Sequence, residues 1–157
     1  MKLLLALSLL FSCGVLAATA GENLLRDRLA TSLGEVELGF IGHGSLLLTY
    51  QGKVIHIDPY AKVGNYSTLP KADLILVTHH HGDHCSPEDV ARVQTAETTI
   101  LTIPEAAAKL KGHIIKVKPN ETHQVKGITV ETVPAYNTNK FRSPGNLFHP
   151  PQSQHVG

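Results

Sequence analysis

The sequence predicts one α/β domain in which a mixed β-sheet is covered by helices on one face. Strand patterns first follow one another directly, and strand and helix patterns then alternate from about residue 73 onward. The length of 157 residues is that of a single domain. A composition of 42% hydrophobic and 17% charged residues excludes a disordered, collagen-like or coiled-coil protein.

Residues 1–20 are predicted to be a secretory signal peptide. Lys2 is followed by an apolar stretch of about 13 residues, which is too short for a comfortable membrane span. An A-x-A cleavage site ends at Ala20, so the domain is expected at residues 21–157. The alternative is a lipid anchor on Cys13, because the residues around it resemble a lipoprotein box. In both cases the mature protein is expected to be extracytoplasmic, either periplasmic or secreted.

The first half of the predicted domain consists of short strands. Residues 21–33 are expected to form a short helix or an ordered lead-in, because their leucines have some helical spacing. Residues 35–40 alternate with period two and predict a strand. Residues 45–50 and 53–57 flank a Gln-Gly turn and predict a hairpin.

In the second half, strands alternate with helices. Residues 73–77 form a continuous apolar run, which indicates a strand buried on both faces. Ser86 followed by Pro87 predicts a capped helix that continues to about residue 94. The remaining elements are strands at residues 98–102, 114–117 and 127–133, and a helix at residues 105–111 that begins after Pro104.

Net charge and histidine content limit the classes of function that the protein could have. The formal net charge of +1 gives no basic excess of the kind found in nucleic-acid-binding domains, so nucleic acid is not an expected partner. Ten residues are histidines, and four of them lie within residues 79–84. Because imidazole is the commonest metal-ligand side chain, this clustering indicates a metal site.

Four metal-binding side chains directly follow the predicted buried strand: His79, His81, Asp83 and His84. Ligands of open α/β sheets bind at the carboxyl ends of the strands. Residues two apart in an extended or tightly turned backbone point to one side, so His79 and His81 can hold one ion together. Asp83 and His84 can face a second ion. Imidazole with carboxylate favours Zn²⁺, with iron or manganese as the alternatives.

The segment Thr78-His79-His80-His81-Gly82-Asp83-His84 fits the His-x-His-x-Asp-His signature of the metallo-β-lactamase superfamily, which the chain therefore resembles. Residues 42–45, 57–60 and 133–137 resemble one branch of it, that of the L-ascorbate-6-phosphate lactonase and N-acylphosphatidylethanolamine phospholipase D types. The resemblance implies a metal-dependent hydrolase. It also implies a metallo-β-lactamase-type αββα sandwich, of which this chain is expected to be the N-terminal part only.

The resemblance implies a role for each residue of the signature. His79 and His81 would bind the first metal ion, and Asp83 and His84 would bind the second, with Zn²⁺ expected at both sites. Asp83 would also orient the attacking hydroxide and is the candidate catalytic residue. His80 occupies the variable position between ligands and is not an expected one.

Three residues outside the signature are placed near the predicted site. Asp58 is interpreted as accepting a hydrogen bond from a ligand histidine, and a turn acid before Pro59 is the alternative. For His43, a role close to the site and a structural role remain equally open. Thr78 is expected to bond the backbone at the end of its strand.

The first metal ion needs a third protein ligand. Part of the family has a histidine directly after a Pro-Ala-x stretch, where this chain has Asn137. His149 is the candidate replacement, with an ordinary loop histidine as the alternative, and His155 is a weaker candidate. His113 and His123 are interpreted as ordinary, and His56 as a structural residue inside a strand.

Family members continue with a metal-bridging Asp and a final His, whereas no Asp follows Asp89 in this chain. Two functions therefore stay open. One is a hydrolase in which a metal-activated hydroxide attacks an ester, lactone, amide or phosphodiester of a small-molecule substrate. The other is an extracytoplasmic metal-binding or degenerate module without turnover, and a non-functional fragment is a third alternative.

Overall fold

The protein is described here by a computed structural model covering residues 24–157, so the predicted signal peptide and the Cys13 segment lie outside the described residues. A seven-stranded mixed sheet forms its centre, and the strand order follows the chain order. The strands are antiparallel from the first to the fourth and parallel from the fourth to the seventh. They are β1 (Leu25–Thr31), β2 (Gly34–Gly42), β3 (Ser45–Tyr50), β4 (Lys53–Ile57), β5 (Leu74–Val77), β6 (Thr99–Thr102) and β7 (His113–Lys116).

Two helices and two small hairpins complete the described structure. The helices are α1 (Pro87–Val93) and α2 (Pro104–Ala107). The hairpins pair β8 (Thr122–Val125) with β9 (Ile128–Glu131) and β10 (Phe141–Ser143) with β11 (Asn146–Leu147). Short 3-10 turns lie at Tyr66–Thr68 and Pro151–Ser153. Within residues 24–157, no helix is long and apolar enough to cross a membrane.

The predicted mixed α/β sheet is confirmed, and its centre is β5. Leu74 and Ile75 of this strand are completely buried, as expected for a strand covered on both faces. Val90 and Val93 of α1 belong to the same hydrophobic core. Burial of these branched side chains supplies most of the stabilisation that holds the helix against the sheet.

The capped helix is confirmed at the predicted position. The hydroxyl of Ser86 accepts a hydrogen bond from the backbone N–H of Asp89 at 3.4 Å, and Pro87 occupies the first helical position. Arg92 forms ion pairs with Asp89 and Glu88, one helical turn earlier. These ion pairs connect the last turn of α1 to its first turn along one face of the helix.

The expectation of a helix within residues 21–33 is wrong, because residues 25–31 form β1. The strand pairs with β2 along its whole length. Arg26 and Arg28, which flank Asp27, form ion pairs with Glu37 on the neighbouring strand. Residues 25–31 thus form a strand paired with β2, supported by these ion pairs, although their leucine spacing is also compatible with a helix.

Two other predictions differ from the structure. The helix predicted at residues 105–111 ends at Ala107, because the N–H groups of Lys109 and Leu110 bond carbonyls three residues earlier and tighten the chain into turns. The strand predicted at residues 127–133 is the shorter β9, and its partner β8 was not predicted. The sequence of β8, Thr-His-Gln-Val, is too polar to show a clear strand pattern.

The carboxyl ends of the parallel strands bring the predicted site together. Asp58 directly follows β4, and its N–H donates to the carbonyl of Leu76 in β5 at 2.9 Å. The histidine-rich segment directly follows β5. The segment before the end of the described chain returns to this edge, because the N–H of Val156 donates to the carbonyl of Thr78 at 3.2 Å.

Candidate metal centre

Three histidines form the first donor cluster, which consists of His79, His81 and His149. One ring nitrogen of each lies within 4.8 Å of those of the other two. His149 Nε2 is 3.2 Å from His81 Nδ1. The structure therefore brings His149 to the two histidines that it was predicted to join. Three convergent imidazoles are a ligand set typical of catalytic zinc sites.

His149 is held in this position by Asn137, which occupies the place where part of the family has a histidine. The backbone N–H of Asn137 donates to the carbonyl of His149 at 2.8 Å. Its side-chain Oδ1 accepts from the backbone N–H of His149 at 3.0 Å. The two residues thus close the base of the β10–β11 hairpin.

The second donor cluster consists of His43, Asp83 and His84, whose donor atoms also lie within 4.8 Å of one another. His43 Nε2 is 3.2 Å from Asp83 Oδ2, and His84 Nε2 is 3.9 Å from the same oxygen. The sequence left open whether His43 lies close to the site or has a structural role. The structure places it in contact with Asp83. The two clusters are neighbours, since the ring centroids of His79 and His84 are 4.1 Å apart.

Asp58 lies beneath both clusters and is only 3% exposed. Its carboxylate accepts hydrogen bonds from His84 Nδ1 at 2.8 Å and from the backbone N–H and hydroxyl of Thr78, each at 2.7 Å. This is the contact that the predicted role of Asp58 requires. With Nδ1–H donated to Asp58, the other ring nitrogen of His84 is free to face Asp83.

The hydroxyl of Thr78 was expected to bond the backbone at the strand end, but it contacts two side chains instead. Its hydroxyl donates to Asp58 and lies 2.9 Å from His79 Nδ1, from which it can accept. This arrangement fixes the tautomer of His79 with its Nε2 atom unprotonated. Among the described residues, the buried His79 Nε2 has no hydrogen-bond partner. A buried imidazole nitrogen without a partner, aimed into a cluster of imidazoles, fits a metal ion.

The loop after β2 is shaped around His84. A Cβ atom on Gly44 would lie 2.8 Å from His84 Cε1, so only glycine allows the loop backbone to pass so close to this ring. The preceding His43 has a positive φ of 52°, which few residues other than glycine adopt. The backbone of this loop therefore directs His43 toward Asp83. The sequence signal was the Gly-His-Gly-Ser segment at residues 42–45.

The protonation states of His79 and Asp83 favour cation binding. Burial, followed by the neighbouring imidazoles His84, His155, His81 and His149, lowers the pKa of His79 from 6.5 to about 3, so His79 is neutral at physiological pH. Burial raises the pKa of Asp83, but its own backbone N–H and the charges of His84 and His43 outweigh this and hold the pKa below its ordinary value. The hydrogen bond to Asp58 raises the pKa of His84.

His155 is packed against the first cluster without joining it. It is buried, its ring centroid is 4.8 Å from that of His79, and neither of its ring nitrogens has a partner among the described residues. It belongs to none of the three-donor groups found in residues 24–157. His113 and His123 contact Thr99 and Glu121 instead, outside both clusters.

The fold and the two clusters together define a candidate metalloprotein whose donors lie at the carboxyl ends of parallel strands. Residues 37–154 match the family described as "Beta-lactamase superfamily domain". The chain therefore belongs to the metallo-β-lactamase superfamily.

Several known proteins are similar to this chain. A UPF0173 metal-dependent hydrolase of Thermus thermophilus is 34% identical over 113 residues, which are 68% of this chain and 50% of the relative. A Parabacteroides distasonis crystal structure, of a protein to which metal-dependent hydrolase activity is attributed, has a TM-score of 0.74. It is 36% identical, and the match covers 85% of this chain and 60% of that one.

A more distant structure shares only the fold. CmlA, a diiron β-hydroxylase from Streptomyces venezuelae, has a TM-score of 0.55 at 18% identity, with 76% of this chain and 26% of CmlA covered. The present chain spans about half the length of the Thermus relative, since the match covers 50% of it.

Proposed function

We propose that this chain carries the metal-binding part of a metal-dependent hydrolase that uses two metal ions. The observation that supports this most strongly is the pair of adjacent three-donor clusters at one edge of the sheet. The relatives named as metal-dependent hydrolases support the same class of activity.

Each of the two clusters would hold one of the two metal ions. His79, His81 and His149 would hold the first ion, and Asp83 and His84 the second, with His43 as the candidate third donor. A pair of zinc ions at such sites lowers the pKa of bound water and stabilises negative charge that develops on the substrate. The Asp83 carboxylate, which is ionised at neutral pH, would orient the attacking water through Oδ2.

Zn²⁺ is the proposed metal, because a set of three imidazoles beside a mixed carboxylate and imidazole set suits it. Iron and manganese are the alternatives. The fold itself does not select zinc, since CmlA has the same fold and is a diiron enzyme. The proposed substrate is a small molecule with an ester, lactone, amide or phosphodiester bond. The signal-peptide pattern at residues 1–20 supports an extracytoplasmic location.

A metal-binding module without turnover is the second candidate. The second cluster contains a single carboxylate, and no Asp follows Asp89 in the 157 residues that could bridge the two ions. Such a module would bind metal at both clusters and hydrolyse nothing.

The test is hydrolysis of bis(4-nitrophenyl) phosphate and 4-nitrophenyl acetate by the zinc-loaded chain, with metal content measured in the same samples. The hydrolase predicts turnover that stops when a chelator removes the metal. Asp83→Ala should abolish turnover, and Asp27→Ala, which removes an exposed acid of β1, should not. Metal binding without turnover would instead favour the module.

A further inference from the structure

An open cavity of about 690 Å³ lies directly beside the first cluster. His81 and His149 form one side of it. Three cationic side chains also line it, namely Lys109, Lys140 and Arg142. Among the described residues in the lining, Asp83 is the one acid, and it is engaged with His43. The cavity therefore has an excess of positive charge next to the proposed metal ions.

The β10–β11 hairpin places two of these cations. Lys140 directly precedes β10 and Arg142 lies within it, and both side chains line the cavity. The carbonyl of Lys140 accepts from the N–H of Phe148 at 3.2 Å. The guanidinium carbon of Arg142 lies 5.3 Å from the Phe148 ring centroid, a cation–π contact that restricts its orientation.

The same hairpin supplies His149 to the first cluster, so one element carries both a proposed metal ligand and the two cations. Arg142 therefore lines the same cavity as His81 and His149, the proposed ligands of the first ion.

No carboxylate neutralises these cations within the part of the chain that the structure describes. The ion pairs of residues 24–157 include neither Lys140 nor Arg142. Lys109 donates to the carbonyl of His80, which leaves further N–H groups of its ammonium for another acceptor. Cations that line one cavity and have no carboxylate partner among residues 24–157 are available to an anionic ligand.

We propose that this cavity binds an anionic group of the substrate, a phosphate or a carboxylate, through Lys140 and Arg142, with Lys109 as a further cation of the lining. The scissile bond would then lie toward His81 and His149. This inference rests on the proposed hydrolase function, because it names the class of substrate on which the metal centre acts.

The test is calorimetric titration of inorganic phosphate, and separately of succinate, into the chain with and without zinc. In the metal-free protein the wild type should bind at least one of the two anions. The double variant Lys140→Glu/Arg142→Glu should bind it at least about tenfold more weakly, because charge-assisted hydrogen bonds are lost. The anion that binds more tightly shows whether the site prefers phosphate or carboxylate.

Two further variants control the experiment. Lys116→Glu introduces an acid in place of an exposed lysine of β7 that does not line the cavity, and should change the dissociation constant by less than about twofold. Arg142→Gln removes one charge without adding an acid and should weaken binding by a smaller factor than the double variant. Circular dichroism checks that each variant is folded.

Equal binding by the wild type and the double variant would overturn the proposal, as would equal weakening by Lys116→Glu or no binding of either anion by the metal-free wild type. Failure of the proposed function has a different signature. In that case the wild type holds no zinc, but titration of the metal-free protein still measures anion binding by Lys140 and Arg142.

Discussion

Asp58 and Thr78 determine how the two neighbouring histidines present their nitrogens. Asp58 accepts from His84, and Thr78 connects the same carboxylate to His79. Metal affinity should therefore depend on Asp58 and Thr78, because they fix the tautomers of His84 and His79. The positions of both residues at strand ends made their proximity predictable, but the hydroxyl contact depends on a side-chain rotamer that no sequence pattern reports.

Thr78→Val is predicted to weaken zinc binding by about 10- to 100-fold. Valine has nearly the same shape but no hydroxyl, so the connection between Asp58 and His79 is lost, while the backbone N–H bond to Asp58 remains. Competition with a chromophoric chelator measures the affinity. Thr78→Ser keeps the hydroxyl and serves as the matched control. If valine and serine variants bound zinc equally well, the proposed role of Thr78 would be wrong.

His43→Ala is predicted to reduce the zinc content from two ions per chain to one. The variant removes one donor of the second cluster, while the first cluster keeps all three of its histidines. Elemental analysis after dialysis measures the content. His113→Ala, which removes a histidine outside both clusters, should retain two ions. Retention of both ions by His43→Ala would show that this residue is no ligand.

At the scale of elements, the strands and helices that could be predicted are those with a local sequence pattern. The β3–β4 turn, the buried run of β5 and the Ser86-Pro87 cap each lie within a few residues, and all three are found where expected. The strand conformation of β1 follows from its backbone pairing with β2, a contact that no local sequence pattern indicates. A long-range contact therefore accounts for the error at β1, whereas the early end of α2 follows from local hydrogen bonds of Lys109 and Leu110.

The β10–β11 hairpin illustrates the same limit for the site. His149 was identified as a ligand candidate by its residue type, but the Asn137 bonds that bring it to His79 become visible only in the folded chain. The contact of His43 with Asp83 also depends on a positive φ, which the sequence only suggests through the flanking glycines. The residue types in the sequence indicated which side chains could bind metal. The backbone geometry determines which of these side chains share a cluster.

Asn137→Ala is predicted to weaken binding of the first zinc ion by roughly tenfold, because the variant loses the side-chain acceptor that holds the His149 backbone. The backbone bond between the two residues remains. Stepwise zinc titration followed by calorimetry distinguishes the two sites. Asn146→Ala, at the far end of the hairpin, is the control and should bind as the wild type does. Unchanged affinity in Asn137→Ala would contradict a positioning role.

At the scale of the whole molecule, stability should depend on the protonation of a histidine far from solvent. His56 is completely buried in β4, and its Nε2–H donates to the carbonyl of Pro70 at 3.0 Å. Burial lowers its pKa below the ordinary value of 6.5, although the bond to Pro70 opposes this. The folded chain therefore keeps His56 neutral at pH values where the unfolded chain protonates it.

Below a pH of about 6.5, His56 binds a proton in the unfolded metal-free chain but not in the folded one. The free energy of unfolding should therefore decrease as the pH falls. One such group contributes at most about 1.4 kcal/mol per pH unit. His56→Gln keeps a donor for the Pro70 carbonyl but cannot be protonated. Denaturant titrations at pH values from about 7 to 5 should therefore show a shallower decrease for this variant. Parallel curves would mean that His56 does not contribute.

The central claim is that this fold places two metal ions side by side at the carboxyl ends of its parallel strands. The most direct measurement is an anomalous difference map at the zinc edge from crystals of the zinc-loaded chain. The predicted result is two adjacent peaks, one among His79, His81 and His149 and the other beside Asp83 and His84. A map without a peak at the first cluster, or with zinc bound only at other surface residues, would contradict the claim.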